Sequence, residues 1–199
     1  MRERNASAKP LDLPGHSAPA VGFEVPLEML AACHGRVEAQ CATLRRLVVH
    51  VGGQGADRQA REAAAAVMRY FDTSAVHHQA DEEVDLFPAL IEAMAGSDAV
   101  CLRELTASLT GEHRELEQRW RALRRRLEPL ACGNASTLTD DEVRDFIGLY
   151  ERHMAREEAE LLPMAARLLS DAELDRIGLS MRARRGAFEP AQPSRSSPA

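Results

Sequence analysis

The chain has 199 residues, 45% hydrophobic but only 4% aromatic, enough for one domain with an aliphatic core. Its formal charge of −6 gives no reason to expect nucleic-acid binding, and no apolar run approaches the length of a membrane span. Abundant Ala, Leu, Arg and Glu favour helix over strand.

Residues 1–24, rich in Pro, Gly, Ser and Ala, read as a flexible tail. They include basic residues but no apolar stretch of the kind a secretory signal needs. A first helix opens near Pro26. Leu27, Leu30, His34, Val37, Cys41, Leu44, Val48 and Val51 form one stripe on it, and "GGQG" ends it. A second helix is predicted from about Asp57 to Phe87, with Val67, Phe71, Ser74, His78, Glu82 and Leu86 on its inner face. "AGSD" breaks the chain. Leu102, Leu105, Leu109, His113, Leu116, Trp120, Leu123 and Leu127 mark a third helix. After the "CGNAST" loop, "TDDE" has the form of a helix start. Val143, Phe146, Ile147, Tyr150, His153, Glu157 and Leu161 follow on a fourth. "SDAELDRIGLSMR" predicts a short fifth helix, and residues 179–199 its end and a second flexible tail. Pro88 and Pro163 stand at matching places on helices two and four, where a kink or restart is expected. Four long helices joined by short loops imply an all-α, antiparallel four-helix bundle.

The sequence repeats itself. "HHQADEEVDLFP" at 77–88 and "RHMAREEAELLP" at 152–163 share H-x-x-x-E-E-x-x-L-[F/L]-P. Aligning His34 with His113 also places "HGRVEAQCATLRR" over "HRELEQRWRALRR". Each half is thus a helix with one His followed by a helix with His-x-x-x-Glu. A pseudo-twofold between the halves would gather four imidazoles and two carboxylates. Residues i and i+4 lie about 6 Å apart along a helix and about 40° apart around it. His78 with Glu82, and His153 with Glu157, can therefore reach one metal each. So many polar groups inside an apolar bundle are costly unless cations compensate them. Imidazole plus carboxylate suits iron, with manganese possible; zinc fits less well.

The twin phrases resemble those of the hemerythrin-like family, the HHE cation-binding domains, over roughly residues 25–178. The resemblance implies a four-helix bundle around a non-heme di-iron centre. Its ligands would be His34, His78, Glu82, His113, His153 and Glu157, with the two glutamates bridging. The oxygen carriers of the family have His-x-x-x-His on the third helix, whereas here Glu117 stands four residues after His113. Their last carboxylate is Asp, and here it is Glu157. The pattern is more similar to bacterial iron–sulfur-cluster repair di-iron proteins, although their Cys-containing N-terminal domain has no counterpart. The resemblance implies binding or sensing of oxygen, nitric oxide or peroxide, or holding of iron, with no protein partner specified. Alternatives are a di-iron redox enzyme turning over peroxide or nitric oxide, and a metal-free helical interaction bundle.

Neighbouring residues have several readings. His77 points about 100° away from His78. Glu38 and Glu117, one turn beyond His34 and His113, are open between accepting an imidazole N–H, ligation and plain surface. Tyr150 is open between core packing and a hydrogen bond to a metal-bound ligand. Cys33 and Cys41 read as small core residues. With Cys101 and Cys132 they form no C-x-x-C pair and suit reduced thiols in a cytoplasmic protein. His16 and His50 are assigned no partner.

Overall fold

A computed structural model of the protein describes residues 22–94 and 99–186. Its first helix, α1 (Pro26–Gln54), begins on a proline whose missing N–H costs nothing in a first turn. Asp57 caps α2 (Arg58–Ala80) by accepting the Ala60 N–H at 2.8 Å. His50 is not solitary, as the sequence reading had it. Its Nε2 lies 2.9 Å from the same carboxylate and ties the end of α1 to the start of α2. After α3 (Phe87–Ala93) comes the long α4 (Ala99–Ala131). Thr139 and Glu142 form a reciprocal capping box that starts α5 (Asp140–Arg156). Two short elements follow, α6 (Leu162–Leu168) and α7 (Asp171–Arg184).

The described residues contain no strand and build an all-α bundle. α2 continues through α3 as one long rod, and α5 through α6 as another. α1 adjoins α2, α2 adjoins α4, α4 adjoins α5, and α5 closes against α1. No helix among the described residues is long and apolar enough to cross a membrane.

Both prolines bring a restart, through one device. Asp81–Leu86 and Glu157–Leu161 are π-helical turns, and the α-helix resumes after each with proline in its first turn. The Phe87 N–H reaches the Glu82 carbonyl, and the Leu162 N–H reaches Glu157, each five residues back. Proline offers no N–H to the carbonyl four residues earlier, and the wider turn relieves that crowding. Such turns recur at functional sites. Here each contains both glutamates of the repeated phrase, Glu82 and Glu83 in the first and Glu157 and Glu158 in the second.

The core forms two apolar layers. One holds Val37, Leu44, Val67, Phe71, Leu123 and Phe146; the other holds Leu30, Leu86, Leu90, Leu109, Leu161 and Met181. On every long rod a His of the repeat falls between the two. Ser74 is a correction: it is exposed, and Ala75 takes the inward position, because the register steps by four from Phe71.

Of the tails expected over residues 1–24 and 179–199, residues 1–21 and 187–199 lie outside the described residues. Gly22–Glu24 are described, and they dock on α7. Arg182 pairs with Glu24 at 2.5 Å and lies over the Phe23 ring at 5.5 Å. α7 runs past residue 178 to Arg184, where Arg184 and Arg185 clamp the fully buried Asp81. A Cβ added at Gly178 would sit 2.1 Å from the Phe23 carbonyl oxygen. Gly178→Ala should therefore destabilise the protein by about 1–3 kcal/mol. A denaturant melt with an unchanged midpoint would show that this docking contributes nothing.

Candidate metal centre

His34, His78, His113, His153, Glu82 and Glu157 are all buried between the two apolar layers. They form two overlapping groups. His34 and His78 share Glu82 and Glu157, and so do His113 and His153. Within each group one ligand atom per residue lies within 4.8 Å of all the others. The structure thus brings together all six residues singled out from the sequence.

The outer nitrogens decide which way the inner ones face. His34 Nδ1 lies 2.8 Å from Glu158, His113 Nδ1 2.7 Å from Glu83, and His153 Nδ1 2.9 Å from Glu112. An ionised carboxylate only accepts, so each Nδ1 carries a proton and donates it. In the neutral ring this leaves Nε2 as a lone pair directed inward. His113 Nε2 and His153 Nε2 lie only 2.9 Å apart, a separation that needs a proton or a cation between them. His34 Nε2 and all four oxygens of Glu82 and Glu157 are buried without a hydrogen-bond partner. They approach one another closely all the same, for example 3.1 Å from His34 to Glu157 and 3.2 Å from His113 to Glu82. Imidazole nitrogens and carboxylate oxygens that converge without satisfying hydrogen bonds fit a bound cation.

Charge in the metal-free pocket follows from burial and the carboxylates. Burial opposes protonation of His34, but Glu157 and then Glu158 outweigh it and raise its pKa to about 9. At His113 burial again opposes, and Glu157 and Glu82 raise the value to about 10. His153 is also raised, against burial, chiefly by Glu157. His78 differs: burial dominates and lowers it to about 3. Burial and then the Glu157 charge push Glu82 above the ordinary carboxylate range. Burial would raise Glu157 as well, but His113, His153 and His34 hold it well below. Metal must therefore displace protons from His34 and His113 at neutral pH.

A family model described as the hemerythrin HHE cation-binding domain matches residues 25–165, a span that includes all six buried residues. The chain belongs to the hemerythrin HHE cation-binding family. A protein of Haemophilus influenzae described as uncharacterized is 32% identical over 164 residues, covering 82% of this chain and 92% of the relative. Membership in the HHE family implies binding of a metal cation, and the two His/Glu groups are suited to it.

Other residues around this HHE centre fall differently from the simplest expectations. Glu38 and Glu117 are surface residues: both are exposed, and Glu117 pairs with Arg121. The carboxylates that hold the imidazoles are Glu83, Glu158 and Glu112. The first two are the second glutamates of the twin phrases, and each crosses to a histidine of the opposite half. The doubled Glu was the available signal for them. His77 is half-buried and outside both groups. Tyr150 is a core residue packed on Phe71 and Phe146. Burial, with Cys41, Tyr70 and the two central glutamates adding, keeps its phenol protonated. Cys33 and Cys41 are buried, Cys101 and Cys132 exposed, and all four are free thiols.

Proposed function

We infer that this HHE protein holds two iron ions and uses them to bind or sense oxygen, nitric oxide or peroxide, or to keep iron for delivery, in the cytoplasm. The observation that carries this reading is the pair of overlapping His₂Glu₂ groups sharing Glu82 and Glu157. His34 and His78 would hold one ion and His113 and His153 the other. The all-nitrogen and oxygen donor set suits iron, with manganese the alternative. Four unpaired thiols agree with a reducing compartment. When bound, an iron pair supplies Lewis-acidic, redox-active positions for a small ligand.

The protein's own groups have defined tasks. Glu83, Glu112 and Glu158 hold the protons on Nδ1 and so orient the imidazoles. The Leu- and Phe-rich layers on either side keep bulk water out. Glu117 faces outward to Arg121, so no fifth imidazole or carboxylate from α4 joins the set. Four protein donors per ion leave each short of six-coordination. Held by four protein donors each, two ions at these groups would supply positions suited to two-electron chemistry rather than reversible oxygen carriage. Anaerobically reduced, iron-loaded protein mixed with oxygen in a stopped-flow cell should oxidise rapidly. A long-lived spectrum that reverses under vacuum would contradict the donor count. Steady turnover of peroxide or nitric oxide with a reductant would identify an enzyme rather than a binder.

A further inference from the structure

The two halves of the centre are related by the repeat, but their outer supports are not. On the His113/His153 side both imidazoles donate to carboxylates. Glu83 is 19% exposed and held by Arg114 at 2.5 Å. Glu112 is 21% exposed and held by Arg156, which also bonds Ser108. On the other side His34 donates to Glu158, which is 56% exposed. His78 Nδ1 is buried and has no hydrogen-bond partner among the described residues. The repeat supplies the cause. The residue before His113 is Glu112, which bonds His153, whereas the residue before His34 is Cys33. The carboxylate that would serve His78 is replaced by a thiol.

This difference bears on metal binding through the ring tautomer. In the metal-free pocket His78 can keep its proton on Nε2, 3.3 Å from Glu82. Coordination through Nε2 would force that proton onto Nδ1, where the described residues offer no acceptor. An unsatisfied buried donor is costly, and a histidine ligand without an outer partner is both less basic and less well oriented. His153 meets no such obstacle.

We propose that the two metal positions are inequivalent and fill in order: His113/His153 binds first and tightly, and His34/His78 binds second and exchanges its ion. Glu112 is the positioning residue that creates the difference. This rests on the two-metal reading above, and the test separates the two.

Fe²⁺ titrated anaerobically into metal-free full-length protein should give two calorimetric steps of one ion each, the first about 10–100-fold tighter. Glu112→Ala should weaken the first step by a similar factor and leave the second in place. Glu112→Gln keeps an oxygen acceptor and should restore most of the separation, which a purely structural role for Glu112 would not require. If Glu112→Ala does not fold, the ligand variants decide: His78→Ala should keep the tight step, and His153→Ala should lose it. Two indistinguishable steps in the parent protein, or loss of the tight step in His78→Ala, would overturn the order of filling while leaving two metals. A total below two ions would overturn the two-metal reading and this inference with it.

Discussion

Glu157→Ala should leave the purified protein almost free of metal. Glu157 belongs to both candidate ligand groups, so its loss would remove a donor from each ion of the proposed pair. It stands 2.8 Å from His153 Nε2, 3.1 Å from His34 Nε2 and 3.8 Å from His113 Nε2, and it is fully buried. Changes in outer partners alone cost roughly 10–100-fold in affinity, and removing a shared inner carboxylate should exceed that. The damage extends to the metal-free fold, because protonated His34 and His113 lose their chief counter-charge. Breaking a buried ion pair in this way costs on the order of 3–5 kcal/mol. Elemental analysis and thermal melts would measure both effects. Glu38→Ala and Glu117→Ala, at exposed positions, should keep their metal and melt like the parent. Full metal content in Glu157→Ala would remove it from the centre.

Stripping the metal should lower the melting temperature, and the gap should widen with pH. An ion present at 100–1,000 times its dissociation constant adds about 2.7–4.1 kcal/mol by linkage. For a chain of this size that is on the order of 10 °C. The pH dependence follows from the imidazoles. In the metal-free fold His34 and His113 have pKa values of about 9 and about 10, above the ordinary 6.5. Their contribution is complete below pH 6.5 and is lost as pH rises through 9 and 10. His78 and Glu157 act in the opposite sense, since both are depressed. Their contributions are present above their ordinary values, 6.5 and 4.5, and are lost as pH falls. Raised Glu82 offsets His78 between about pH 4.5 and 6.5, so metal-free protein should be most stable at or just below pH 6.5 and lose stability steadily as pH rises from there through 9 and 10. In the metal-loaded form these histidines are deprotonated ligands, and the alkaline loss should be absent. Melts of both forms at pH 7 and pH 10 check this. A constant gap would mean that the imidazoles carry no protons in the metal-free fold.

Much of the architecture could be read from periodicity. Steps of three and four placed Leu30, Val37 and Leu44 on one face of α1 and Leu109, Leu116 and Leu123 on one face of α4, and all six are buried. The inner six residues were legible because the repeat marked them twice. The outer carboxylates were not, because each reaches a histidine on a different helix, and Glu83 and Glu158 reach into the opposite half. Spacing within one helix pointed to Glu38 and Glu117, one turn beyond each His. The actual acceptors for His34 and His113 are Glu158 and Glu83, 124 and 30 residues away in the chain. Glu112 precedes His113 yet serves His153, a pairing set by how α4 packs on α5. Pro88 and Pro163 announced a break, but a proline does not specify how the preceding carbonyls adjust. The π-turns that carry Glu82 and Glu157 needed the packed bundle to be seen.

The most direct test of the central claim is the metal content of aerobically purified protein, by elemental analysis alongside its visible spectrum. Two bound ions sharing Glu82 and Glu157 require close to two irons per chain and the absorption of a coupled ferric pair. Well-folded protein with at most one metal per chain, unchanged after incubation with excess Fe²⁺, would contradict it.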